Sequence, residues 1–149
     1  MLEPLLLSSS LLFGKELLVQ TVAKTTHNIY KGLEDLNNDE SFEFKKLLSD
    51  LDINAKLEII HEFINELNEN EEHKINNFNK SIDKILTFLC DILKNIETEI
   101  ENIKKEIISH KKKWFHKLRP YNYNTMIENL IKHLNILDMR FNLLIKLLK

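Results

Sequence analysis

The apolar positions along the chain recur at the three- and four-residue spacing of an α-helix. They predict four helical segments: residues 9–36, 41–70, 76–113 and 125–148. No stretch keeps the strict alternation of a β-strand beyond a few residues, and the chain contains only two glycines and two prolines to form turns. The pattern therefore predicts an all-α protein.

Two places in the first half of the chain leave the helix boundaries open. Gly14 is a candidate break near the start of the first segment, which would make residues 1–14 an apolar N-terminal extension. In the second segment, Ser49, Asp50 and Asp52 are of residue types that favour a helix N-cap. That segment is therefore either one helix or two shorter ones.

The fourth segment combines a regular seam with additional apolar residues. Thr125 and Glu128 match the spacing of a capping box and predict its start. Its seam follows an unbroken three-four spacing typical of a coiled coil, through Ile127, Leu130, Leu134, Leu137, Phe141, Leu144 and Leu148.

Three apolar residues of the same segment, Ile136, Met139 and Leu143, fall outside the seam. A helix that is apolar on nearly all sides is either central in its own molecule or shared with another. Either the first helix of the same chain or a second copy covers these residues. We favour a closed two-fold dimer, in which each molecule offers the same patch.

Length and connections indicate the architecture. The 149 residues suit a single domain, residues 1–149, and the short connections favour antiparallel neighbours. We expect an up-and-down antiparallel helical bundle. Its long third helix would form a coiled-coil-like hairpin with the fourth.

Charge and cysteine content exclude several classes of protein. The chain carries 21 basic and 23 acidic residues, so no overall field favours nucleic acid or an anionic membrane. Its single cysteine, Cys90, excludes an intramolecular disulfide framework and a cysteine-based zinc site, and it favours a cytoplasmic location. The uncharged run of residues 4–14 is too short to span a bilayer.

One segment, residues 110–123, is both basic and aromatic. Such a segment could bind phosphates, bases or a headgroup interface, or it could be a connector in which lysines complement a helix C-terminus. We favour the connector. The candidate partner-binding residues are Lys111, Lys112, Lys113, Trp114, Phe115, Lys117 and Arg119.

Signals for catalysis are sparse. Glu58 and His61 form a Glu-x-x-His pair, the spacing found in di-iron bundles, but a full site requires a second such pair and two further glutamates. Cys90 lies within the apolar rhythm of the third segment, where a cysteine packs as a small hydrophobe. We therefore predict no enzymatic activity, no cofactor, no metal and no small-molecule substrate. A metal-dependent helical enzyme centred on Glu58 and His61 is the least favoured hypothesis.

Three stretches, residues 10–17, 110–115 and 133–148, resemble segments of uncharacterised helical proteins encoded by giant DNA viruses of the mimivirus type. The abundance of Ile, Lys and Asn, which have AT-rich codons, is compatible with such a source. The resemblance carries no catalytic motif and implies a virion component or a factor of the host cytoplasm. We expect a non-enzymatic interaction or structural protein that self-associates. The alternative is a peripheral binder of nucleic acid or membrane through residues 110–123.

Overall fold

The structure of the protein is a computed structural model that describes residues 3–39, 45–69, 80–112 and 124–148. Within these ranges the chain forms five helices and no strand, which confirms the all-α prediction. The helices are α1 (Glu3–Asn37), α2 (Lys45–Asp50), α3 (Ile53–Glu69), α4 (Lys80–Lys111) and α5 (Asn124–Leu148).

The first helix is longer than its sequence pattern predicts. α1 begins at Glu3, six positions before the predicted start at Ser9, and it continues through Gly14 without a break. One glycine inside a helix costs only about 1 kcal/mol relative to alanine, and the leucines on both sides favour the helix. The backbone of residues 3–14 is therefore part of α1.

The second predicted segment is two helices. Asp52 lies between α2 and α3 with a positive φ of 55°, in the left-handed region that aspartate tolerates better than most residues. Its amide donates to the Ser49 carbonyl at 3.0 Å, and its own carbonyl accepts from the Lys56 amide at 3.2 Å. Asp52 thus ends one helical turn and starts the next helix.

The last two helices follow the sequence predictions closely. α5 begins within one residue of Thr125 and ends at Leu148, as predicted. α4 ends at Lys111, near the predicted Lys113, and its 32 residues span about 48 Å. The predicted start of the third segment, residues 76–79, lies outside the described residues.

The four long helices form a ring in the order α1, α3, α5, α4. Extensive packing joins α1 to α4, α4 to α5 and α1 to α3. Side chains of α3 and α5 close the ring, because Phe63 and Phe141 meet edge to face with ring centroids 5.4 Å apart and Lys56 pairs with Asp138 at 3.0 Å. The short α2 precedes α3 at one end of the bundle.

Long helices that follow one another along the chain alternate in direction, so two pairs of neighbours in the ring run parallel: α1 with α4, and α3 with α5. Along α1 and α4, Asp35 pairs with Lys104 and Asp39 with Lys111, so residue numbers rise together. α4 and α5 are antiparallel, since Phe88 meets Arg140 while Glu99 lies near His133. α4 and α5 therefore pack as an antiparallel pair, whereas α1 and α4 are a parallel pair that the short connections did not predict.

A glycine brings α1 and α4 close together. A Cβ atom at Gly32 would lie 2.7 Å from Cγ2 of Ile100. Cβ atoms in real proteins essentially never come this close to a heavy atom of a packed neighbour. Ile100 is branched at Cβ, so this methyl group cannot rotate away freely. The close approach of the two helices at this level therefore requires glycine at position 32.

Candidate interaction surface

The inner face of α5 is the predicted seam. Ile127, Leu130, Leu134, Leu137 and Leu144 are buried, with Leu144 fully excluded from solvent. Phe141 and Leu148 are partly buried and pack against the same core. The seam therefore faces the centre of the bundle, and its prediction from spacing is confirmed.

The outer face of α5 carries an apolar stripe that the bundle leaves uncovered. Met139 is 70% exposed, Leu143 46% and Leu147 39%. Residues four apart lie on the same face of a helix, so these three side chains form one continuous stripe. Met139 and Leu143 are among the residues predicted to self-associate, whereas Leu147 is not, although its four-residue spacing from Leu143 is a signal for the same face.

The structure differs from the sequence prediction at Ile136. The sequence pattern places Ile136 outside the seam together with Met139 and Leu143, whereas in the structure it is half-buried and packs against the core. It lies beside Leu137 on the flank of α5 that turns toward α4. Ile136 therefore borders the stripe and contributes to the fold of its own chain.

An aromatic residue of α4 adjoins the stripe. Phe88 is 44% exposed, and the guanidinium of Arg140 lies 5.5 Å from the centroid of its ring. Nη1 of Arg140 also donates to the Phe88 carbonyl at 2.6 Å. Arg140 is one helical turn from Leu143 and Ile136, so it connects Phe88 to the stripe. We call Phe88, Met139, Leu143 and Leu147 the outer patch.

Phe88 is absent from the predicted site residues because it does not belong to the regular stripe of the third segment. Phe88 is out of phase with that stripe, since the neighbouring Leu89 is fully buried while Phe88 is exposed. A large aromatic residue at an out-of-phase position was the signal. Chemically, the outer patch offers apolar area and one stacked cation, which suits binding by burial.

Only the beginning of the basic and aromatic segment lies in the described part of the chain. Lys111 Nζ is 3.0 Å from both carboxylate oxygens of Asp39, at the opposite end of α1 from Glu3. Lys112 is exposed. The predicted partner-binding residues Lys113, Trp114, Phe115, Lys117 and Arg119 lie outside the described residues. Lys111 therefore links the end of α4 to the end of α1.

The Glu58 and His61 pair is engaged in ordinary hydrogen bonds. Tyr30 donates its hydroxyl to Glu58 Oε1 at 2.9 Å, and this bond raises the pKa of the Tyr30 hydroxyl. His61 Nε2 lies 3.1 Å from Nδ2 of Asn65. Across the described ranges, no group of three histidine, cysteine or acidic side chains is placed to hold a metal ion.

Cys90 is buried against the core of α4. Burial raises the pKa of its thiol, although the neighbouring Lys94 opposes this effect. A thiol with a raised pKa is a poor nucleophile, since the thiolate is the reactive form. The environment of Cys90 is therefore that of a packed hydrophobic side chain.

Comparisons with known proteins found no relationship. No protein-family model matches the chain, and neither a curated protein nor a solved structure does. No helix in the described ranges combines the length and apolar character needed to cross a membrane.

Proposed function

We propose that this chain is a non-enzymatic helical interaction protein that forms a two-fold dimer through the outer patch. The observation that carries the proposal is the exposure of Met139, at 70%, and Leu143, at 46%, on a helix whose opposite face already completes the core. The cytoplasm is part of the proposal, because the chain carries a single cysteine and no disulfide pair.

The physical support is the clustering of the exposed residues. Single exposed apolar side chains are ordinary on protein surfaces, but a contiguous patch of several large ones marks an interaction site. Met139, Leu143 and Leu147 share one helix face, and Phe88 adjoins them through Arg140. Methionine and phenylalanine are also enriched in the cores of protein interfaces.

A second copy of the chain is the occupant that this patch favours. In a two-fold dimer each molecule presents the same residues, so one apolar stripe meets another and no further partner is required. The outer patch includes residues of both α4 and α5, which are antiparallel. When the patches of two copies meet, helices of one copy can pack against helices of the other at the usual crossing angles. Each copy would bury its outer patch against the outer patch of the other copy.

Sedimentation equilibrium tests the proposal at tens of micromolar protein. We expect the wild type to have twice the 17.7 kDa mass of the chain. The variant Met139→Lys/Leu143→Lys should have the monomer mass and an unchanged helical circular dichroism spectrum. The matched control is Gln20→Lys/Asn28→Lys, which adds the same two charges to exposed positions of α1, the helix opposite α5 in the ring, and should remain a dimer.

Two outcomes would overturn the proposal. A wild-type mass of 17.7 kDa at tens of micromolar would show that the chain does not self-associate. A dimer that survives in the folded Met139→Lys/Leu143→Lys variant would show that the copies meet elsewhere. Ile136 is left unchanged in these variants because it packs against the core, and a charge there would confound folding with association.

A further inference from the structure

The outer patch contains a side chain that oxidants modify. Met139 is 70% exposed, so small molecules dissolved in water reach its side chain. Met126, near the start of the same helix, is partly buried and packs against the core. The third methionine of the chain, Met1, lies outside the described residues. Of the two described methionines, Met139 is therefore the one that a dissolved oxidant meets first.

Hydrogen peroxide oxidises a methionine side chain to the sulfoxide. The thioether sulfur attacks one peroxide oxygen and forms an S–O bond, while the O–O bond breaks and the other oxygen leaves as water with both protons. The sulfur loses two electrons, and the peroxide gains them. The step needs no base and no ionisation of the side chain, and it turns a flexible apolar group into a polar one that accepts hydrogen bonds.

The thiol of Cys90 is protected from the same oxidant. Cys90 is only 4% exposed, and burial raises the pKa of its thiol. Thiols react with peroxide as thiolates, so both effects slow the oxidation of Cys90. Mild peroxide treatment therefore modifies Met139 before it modifies Cys90.

The position of Met139 links this chemistry to association. Met139 lies one helical turn from Leu143, and the side chains of the outer patch carry no hydrogen-bond donor. Arg140, beside the patch, is turned to Phe88, because its Nη1 donates to the Phe88 carbonyl. A sulfoxide oxygen in the patch is buried among apolar groups when two copies meet, and burial of a polar atom without a partner is unfavourable. In a two-fold dimer each copy contributes its own Met139, so the interface has to bury two such oxygens.

We propose that Met139 is a redox-sensitive modification site, and that its oxidation by peroxide dissociates the dimer. This inference rests on the proposed function, because it requires the outer patch to be the dimer interface. The dimer covers Met139, so the monomer is the form that peroxide oxidises, and the sulfoxide then keeps the chain monomeric. Methionine sulfoxide reductases reverse the step, since two thiols become a disulfide and the sulfoxide oxygen leaves as water.

The test treats the full chain with dilute hydrogen peroxide and stops the reaction with catalase. Peptide mass spectrometry then follows the addition of one oxygen atom at each methionine. We expect Met139 to react about tenfold faster than Met126 at a protein concentration low enough to dissociate the dimer. At tens of micromolar the Met139 rate should fall, because the dimer shields this side chain, whereas the Met126 rate should not. Equal rates for the two methionines in the monomer would overturn the proposal.

Sedimentation equilibrium of the same samples measures the effect on association. Oxidation of Met139 should raise the dimer dissociation constant about 100-fold, about tenfold for each buried sulfoxide, with an unchanged helical circular dichroism spectrum. Treatment with a methionine sulfoxide reductase should restore the dimer. A dimer that persists when Met139 is fully oxidised would overturn this proposal and leave the proposed function standing. An untreated chain that is already monomeric at tens of micromolar would overturn both.

Two variants assign the effect to one sulfur atom. Met139→Leu keeps an apolar side chain of similar size that peroxide does not oxidise, so it should dimerise as the wild type does and remain a dimer after treatment. The matched control Met126→Leu removes the partly buried methionine and should still dissociate when treated. Dissociation of Met139→Leu by peroxide would place the sensitive residue elsewhere and overturn the proposal.

Discussion

The two faces of α5 contain the same kinds of residue in opposite environments. Leu143 and Leu144 are neighbours in the chain, yet Leu144 is fully buried and Leu143 is 46% exposed. One position along a helix rotates the side chain by about 100°, which is enough to move it from the core to the solvent. Residue type therefore does not decide which apolar side chains of this helix are buried, and position within the helical period does.

The difference shows what each face contributes. Burying an apolar side chain stabilises a protein in proportion to the area removed from water, so the inner face holds the bundle together. The outer face keeps its apolar area in water, and the proposed dimer would bury it.

The largest difference is expected between Leu144→Ala and Leu143→Ala. Leu144→Ala leaves a cavity in the core and should lower the free energy of unfolding by about 2–5 kcal/mol. Leu143→Ala removes exposed methyl groups and should change it by less than about 0.5 kcal/mol in the monomer. Urea unfolding at a protein concentration low enough to dissociate any dimer measures both. Similar losses in the two variants would contradict the division of the faces.

A smaller effect is expected at the edge of α5 that faces α3. The edge-to-face contact of Phe63 with Phe141 should contribute a coupling energy of about 0.5–1.5 kcal/mol beyond the area that each ring buries. A double-mutant cycle with Phe63→Leu and Phe141→Leu, analysed by urea unfolding, isolates this coupling. Additive losses in the double variant would show that the two rings stabilise the bundle independently.

The edge of α5 that faces α4 should contribute less again. Arg140→Gln removes the cation above the Phe88 ring and should lower the free energy of unfolding by about 0.5–1 kcal/mol. The control Lys132→Gln removes an exposed charge of the same helix and should have no measurable effect. If the two variants lose the same stability, Arg140 acts through net charge and its contact with Phe88 contributes nothing.

The smallest effect is expected for the ion pair of Lys56 with Asp138. Both side chains are partly exposed, so the pair should contribute about 0.2–1 kcal/mol. Because salt screens exposed charges, the coupling measured with Lys56→Met and Asp138→Asn should decline between low salt and about 1 M sodium chloride. A coupling that does not depend on salt would indicate that packing of the lysine stem, rather than charge, joins α3 to α5.

Much of the helical architecture was predictable because it depends on local spacing. The seam of α5 repeats without interruption from Ile127 to Leu148, and the structure buries it as the period requires. The break between α2 and α3 was one of two readings of residues 49–52, and the left-handed Asp52 decides between them. Gly14 was a candidate break, but its cost is small against the leucines around it, and α1 continues through it.

The candidate site was less predictable, because exposure depends on which helices become neighbours. Met139 and Leu143 could be separated from the seam by counting, but Ile136 could not, since its burial requires the flank of α5 that α4 approaches. Phe88 belongs to the outer patch because Arg140, on a different helix, contacts it, and this contact depends on the packing of α4 against α5.

The sequence by itself determined the helices, their apolar faces and the surplus of apolar residues in α5, because these follow from local backbone preferences and a period of 3.6 residues. Only the tertiary structure decided the order of helices around the bundle and the parallel contact of α1 with α4. That contact depends on Gly32 meeting Ile100, 68 positions later, at a distance that no side chain at position 32 allows. Contacts of this kind depend on packing between segments that are distant in the chain, so local sequence preferences do not predict them.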